Sequence, residues 1–176
     1  MVCTDNGYAP EEMLRICKAQ EEGLWFDRFS REDALNLGLL IHQTANALYG
    51  RGAGITIQLY NAIVFSFLPE GTTIDNLRWM DRKRNVTALT GMSSLCHRYF
   101  LLAGGETLAD RGLDAFEYTD CGGSFPLCIR DVGQVGVLCV SALPHLDDHQ
   151  LIVHSLKTFL NRPEVPDLPC CAADNA

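Results

Sequence analysis

The sequence contains no Cys-x-x-Cys pair, no His-Glu-x-x-His and no regular ladder of acids. Those spacings build most zinc and calcium centres, so no metal site is expected. Its glycine clusters, Gly50 to Gly54 and Gly122-Gly123, match neither the Walker nor the dinucleotide fingerprint, which sets nucleotide binding aside. Cationic residues are scarce: 14 Lys and Arg stand against 22 Asp and Glu, giving a net charge of −8. Backbone-driven nucleic-acid binding depends on cations neutralising phosphates, and the single basic triplet, Arg82-Lys83-Arg84, is too short to supply them. No nucleic-acid partner is expected. Long apolar runs are missing as well, since Ala62 to Phe65 and Val135 to Leu143 are too short or too interrupted to span a bilayer. Met1 to Pro10 is polar and lacks the apolar segment of a signal peptide, so a cytoplasmic protein without membrane contact is expected.

What is present reads as one globular unit. The 176 residues are 47% hydrophobic and 20% charged, enough to bury a single core. The expected organisation is a flexible start over residues 1–9, a domain over 10–162 and an extended or disordered tail over 163–176. That tail holds three prolines and no apolar period. Of the eight cysteines, Cys17, Cys96, Cys128 and Cys139 have apolar flanks and are expected as buried free thiols. Cys170 and Cys171 are expected to be exposed.

Pro10-Glu11-Glu12 suits a helix start. Leu24 to Phe29 follows as an edge strand or an extended connection. Ser30 to Asp33 resembles a capping box and opens a helix with the stripe Ala34, Leu37, Leu40, Ile41, Thr44, Ala45 and Leu48. Two β-rich runs, Ile55 to Leu59 and Ala62 to Leu68, flank Tyr60-Asn61 as a hairpin. Thr73 caps a helix to about Leu89 with Gly91 as its stop, and Ser93 or Ser94 starts another through Leu102. Glu106 to Asp120 has weak periodicity and reads as a surface connection with at most one helical turn. A second hairpin joins Phe125 to Arg130 with Gln134 to Ser141, and a final helix carries Leu151, Ile152, Ser155, Leu156 and Phe159 inward. Hairpins this short exclude a parallel doubly wound sheet, so the expected fold class is α/β of the α+β kind: an antiparallel sheet with helices on its faces.

Three constellations could carry chemistry. On the Asp75-to-Val86 helix, positions 76, 79, 83 and 86 share a face, setting the amide of Asn76 and the amine of Lys83 beside Trp79. Such a pair can orient and charge-stabilise a carboxylate or enolate oxygen, although a capping Asn76 and a snorkelling Lys83 account for the same pattern. Cys121-Gly122-Gly123 lets backbone N–H groups turn toward an anion, with Cys121 a possible nucleophile and a plain tight turn as the alternative. Asp147-Asp148-His149 places acids at a helix start and a histidine able to move a proton, or else one that merely packs.

The string Gly71 to Asn76, followed by Trp79 and Arg82 to Val86, resembles the uncharacterised branch of the haem-degrading-domain (HbpS/GlcG-like) superfamily. The resemblance continues through Ser93-Ser94, Gly122 to Pro126, Gly133 to Gly136, and Val140 to Pro144 leading into Asp148-His149, and covers about residues 10 to 162. It implies a profilin-like fold, assembly into homodimers or larger homo-oligomers, and haem as the family-level candidate cofactor, on the resemblance alone. Cys121 stands where the family pattern leads us to expect histidine. Leu89-Thr90-Gly91-Met92 replaces an expected Arg-Phe-Gly, and the first hairpin is short.

The resulting expectation is a small-molecule-binding oligomeric domain. Lys83, Cys121 and His149 are its candidate catalytic residues, and Asn76, Trp79, Arg84, Ser94, Gly122 and Gly123 its candidate ligand-binding residues. The alternatives are a cofactor-free isomerase, hydrolase or cyclase acting on a small anionic or carbonyl metabolite, and an adaptor that docks through its tail.

Overall fold

A computed structural model describes residues 7–169. Its elements run α1 (Pro10–Gly23), α2 (Arg31–Tyr49), β1 (Gly54–Leu59), β2 (Ala62–Phe67), α3 (Ile74–Thr90), α4 (Ser94–Gly104), β3 (Ser124–Ile129), β4 (Gly133–Ser141) and α5 (His145–Leu160). The expected order of helices and hairpins is the observed one, and the fold is α+β. The four strands form one antiparallel sheet in the order β2-β1-β4-β3.

Local chemistry accounts for the boundaries. The Ser30 hydroxyl accepts from the Asp33 N–H at 3.1 Å, and the Asp33 carboxylate accepts from the Ser30 N–H at 2.8 Å, closing the capping box that starts α2. Thr73 and Asn76 repeat the device at α3, where the Thr73 N–H donates to Asn76 Oδ1 at 2.8 Å. Glu106 to Asp120 holds one 3₁₀ turn, Ala109–Arg111.

Helices cover both faces of the sheet. On one face α2 and α5 pack Leu37, Ile41, Leu151, Ile152 and Leu156 against Ile55, Ile57, Leu138 and Val140. The other face meets α3 through Met80, which lies against Val137 and Cys139. Beyond it, α1 and α4 form their own small core around Met13, Cys17, Cys96 and Tyr99. Cys17, Cys96, Cys128 and Cys139 are buried free thiols, as expected. The α2 stripe buries Ala34, Leu37, Ile41 and Ala45, but Leu48 is exposed in the last turn.

Leu24 to Phe29 forms no full strand. Phe26 alone bridges to Ile129, donating to the Cys128 carbonyl at 2.8 Å and accepting from the Arg130 N–H at 2.8 Å. Residues 163–165 form a turn, with the Val165 N–H donating to the Arg162 carbonyl at 3.3 Å, and the stretch to 169 is tied down. Val165 is buried, Gln20 donates to the Pro166 carbonyl at 2.9 Å, and Lys157 pairs with Asp167 at 2.9 Å. Residues 1–6 of the expected flexible start, and Cys170-Cys171, lie outside the described residues.

Candidate functional site

α3 presents Asn76, Met80, Lys83 and Thr87 to the sheet, a row with steps of four, three and four residues. Trp79 therefore sits at the edge of that row rather than on it, and Met80 takes the inner place. Asn76, besides capping α3, points its Nδ2 toward Ser141 Oγ at 3.4 Å.

Lys83 is wholly buried. Its ammonium donates to Asp148 Oδ2 at 2.7 Å and to the Val140 carbonyl at 3.1 Å. Asp148, equally buried at the start of α5, also accepts from the Leu143 N–H at 3.1 Å. Burial drives the Asp148 carboxyl up to about 6, against the lowering pull of Lys83 and of the Leu143 and Ala142 N–H groups.

The Gly122-Gly123 turn exists to let this pair in. A Cβ on Gly123 would sit 2.5 Å from Lys83 Nζ and 2.7 Å from the Val140 carbonyl, at a φ of +119°, and one on Gly122 would sit 2.4 Å from the His145 carbonyl. Three backbone groups at the turn already have protein partners. Gly122 N–H points at His145 Nδ1 at 3.4 Å, Gly123 C=O accepts from Val140 N–H at 2.8 Å, and Ser124 N–H donates to Ser94 Oγ at 3.1 Å. No outward-facing anion nest is formed by these groups.

His149 lies within the same region, with no exposed surface. Its Nε2 meets Gln20 Oε1 at 2.8 Å, which assigns the ring proton to Nε2 because an amide oxygen can only accept. Nδ1 is then a bare acceptor, buried and without a hydrogen-bond partner among the described residues. Burial, and secondarily His145, push the ring down to about 3, so the imidazole is neutral at physiological pH.

The structure thus brings Lys83, Ser94, Gly122, Gly123 and His149 into one sealed polar cluster, completed by Asp148, Gln20, Thr87 and Ser124. Cys121 adjoins it and is disulfide-bonded, so no thiolate is at hand there for nucleophilic attack. Arg84 is apart, paired with Asp81 at 2.7 Å on the α3 surface. No cluster of three His, Cys, Asp or Glu among the described residues could hold a metal ion.

Trp79 lines an open cleft of about 410 Å³ with Asp75, Arg78, Arg82, Ala115 and Phe116. The Arg82 guanidinium stacks 4.5 Å from the centre of the Trp79 ring, and Trp79 Nε1 donates to Asp75 at 3.1 Å. Arg82 Nε is shielded and has no acceptor among the described residues. Phe116 is 86% exposed at the rim. Arg78, Arg82 and Phe116, which line this cleft, are not among the candidate residues read from the sequence. The basic triplet was the only signal, because Phe116 lies in a segment without periodicity.

An antiparallel sheet covered on both faces, with its charged pair sealed between α3 and α5, defines a profilin-like α+β domain. The HbpS-like family of haem degrading proteins matches residues 29–157, and the chain belongs to that family. A UPF0303 protein of Rhizobium etli is 38% identical over 149 residues, covering 85% of this chain and 90% of its own. One from Yersinia enterocolitica is 35% identical over 154 residues, covering 87% and 91%. Among solved structures, the Ybr137w protein superposes with a TM-score of 0.75 at 25% identity, covering 88% of this chain and 89% of that one. HbpS itself, at 16% identity and a TM-score of 0.60 over 76% and 90%, shares the fold. No helix among the described residues is long and apolar enough to cross a membrane.

Proposed function

We propose that the chain is a homo-oligomeric small-molecule-binding domain whose ligand is a planar organic anion held at the Trp79 cleft. The observation that carries this reading is the Arg82 guanidinium stacked on Trp79 in the lining of the cleft. Arg78 stands beside it without an ion pair among the described residues, in a protein of net charge −8. A flat anion gains ring contact with Trp79 and Phe116 and a charge-assisted bond to each arginine. On this reading the cluster of Lys83, Gly122, Gly123 and His149 holds α3 in register behind the cleft. Its side chains lack the access to substrate that acid–base chemistry needs.

Haem suits the cleft only in part. The two arginines would take its propionates and the rings its macrocycle, but no His, Cys or Met lines the cleft to ligate iron. Iron-free protoporphyrin is therefore expected to quench Trp79 fluorescence as effectively as haem does. Arg78→Gln and Arg82→Gln are each expected to weaken this quenching about tenfold, the size of one charge-assisted bond. Trp79→Phe, which retains Trp25, serves as the control for signal origin. Quenching that does not saturate, or that ignores both arginines, would remove the cleft from consideration.

Self-association is supported by the free edge of the sheet. β2 leaves Ile63 and Phe67 exposed, and α2, which packs against β2, exposes Leu35 and Leu39. Phe67→Lys is expected to shift the sedimentation coefficient to that of a smaller species while circular dichroism stays unchanged. An unaltered sedimentation profile would exclude this edge as the interface.

A further inference from the structure

The geometry points to a second small-molecule site, independent of the Trp79 cleft, between the end of α3, α4 and the connection after it: a pocket for a small monocarboxylic acid with an apolar body. Leu89, Met92, Phe100 and Leu113 give the cavity of about 250 Å³ apolar walls, and Thr90, His97 and Arg111 complete the lining. The Thr90 hydroxyl is already engaged by the Val86 carbonyl and the Met92 N–H, which leaves the guanidinium of Arg111 as the head-group partner. That volume lies below the usual range for drug-sized ligands and suits a body of a few carbons.

The head group follows from His97 and Arg111. His97 is 5% exposed, with Nδ1 buried and without a hydrogen-bond partner among the described residues. Its ring stacks on Phe100 with centroids 6.2 Å apart, and the Arg111 guanidinium lies 5.5 Å from the centre of the same ring. Arg111 Nε is bound to Glu106, while its terminal nitrogens have no protein partner among the described residues. A fixed cation beside an imidazole disfavours cationic ligands. One cation and one neutral ring do not balance a polyphosphate, and a single ring nitrogen does not make a metal site. A carboxylate on the free edge of Arg111, with its apolar body between Met92 and Phe100, fits the lining and shares the guanidinium with Glu106. Of the groups facing His97, Asp120 favours its protonated form, whereas burial and Arg111 oppose it. An anion bound against Arg111 offsets that opposition, so binding raises the His97 titration midpoint.

The test uses the full chain with hexanoate, benzoate and hexanol as probes, following the His97 ring signal by NMR. Both acids are expected to move it saturably and to raise its titration midpoint. Hexanol should bind at least about tenfold more weakly than hexanoate, and Arg111→Gln, a half-exposed position, should weaken both acids about tenfold with the fold intact. Equal binding of hexanol and hexanoate, or acid binding indifferent to Arg111→Gln, would overturn the assignment, as would a silent His97 signal. Trp79 fluorescence separates the two sites. If the acids quench Trp79 and Arg78→Gln abolishes the His97 response, the acids act from the cleft and the second site does not exist.

Discussion

Lys83→Met is expected to lower stability by about 3–5 kcal/mol at pH 7, read as a fall in the urea midpoint, because it strands the Asp148 carboxylate in the core. Methionine fills much of the lysine volume, so the loss is mainly electrostatic. Asp148 keeps the Leu143 N–H as a donor, while the Val140 carbonyl loses the ammonium. With the lowering pull of Lys83 gone, the Asp148 carboxyl rises above its present value of about 6. Its folded value then lies further above the 3.8 of the unfolded chain. An acid with a raised folded pKa contributes stability that is complete below the unfolded value and is lost as pH rises through the folded one. The variant should therefore recover toward wild type on acidification from pH 7 to pH 4. Lys83→Met combined with Asp148→Leu should recover most of the loss at pH 7, since a buried pair can often be exchanged for packed apolar groups at little cost. A single variant within about 1 kcal/mol of wild type at both pH values would show that the pair carries little of the core.

Much of this architecture was legible because it is local. Ser30 and Asp33, Tyr60 and Asn61, and Thr73 and Gly91 each declare an element boundary within a few residues, and the antiparallel sheet follows from hairpins too short for a crossover. The inward turn of Asn76 and Lys83 was legible for the same reason, being two helical turns apart. What they meet was not. Asp148 reaches Lys83 across 65 residues, a pairing that no periodicity encodes, and a lysine with so distant a counter-ion reads in sequence as one that snorkels to solvent. By spacing alone Trp79 shares a helical face with Asn76 and Lys83, because a step of three fits such a face. The row actually steps by four there, so Met80 lies inside and Trp79 faces the arginines. The hold on residues 163–169 was illegible too, since one buried valine among prolines makes no pattern.

His149 supplies the other large effect, with the opposite sign. Its folded pKa of about 3 lies well below the unfolded 6.5, so on acidification the unfolded chain takes up a proton that the folded ring refuses. Stability from this group is complete above pH 6.5 and is lost as pH falls toward 3, at about 1.4 kcal/mol per pH unit and roughly 3 kcal/mol by pH 4. Asp148, next to it in sequence, gains stability over much of the same interval, between 6 and 3.8. The two slopes oppose each other there, and the wild-type profile should be flatter from pH 6 to 4 than either group alone would make it. His149→Gln removes one slope while an amide can still donate to Gln20. Whatever the substitution costs at pH 7, its deficit relative to wild type should shrink, or reverse, by roughly 3 kcal/mol when urea midpoints are measured at pH 4. An equal deficit at the two pH values would mean that the imidazole takes its proton inside the fold. The cluster would then open in acid without unfolding, and Lys83 and His149 would become reachable by a ligand after all.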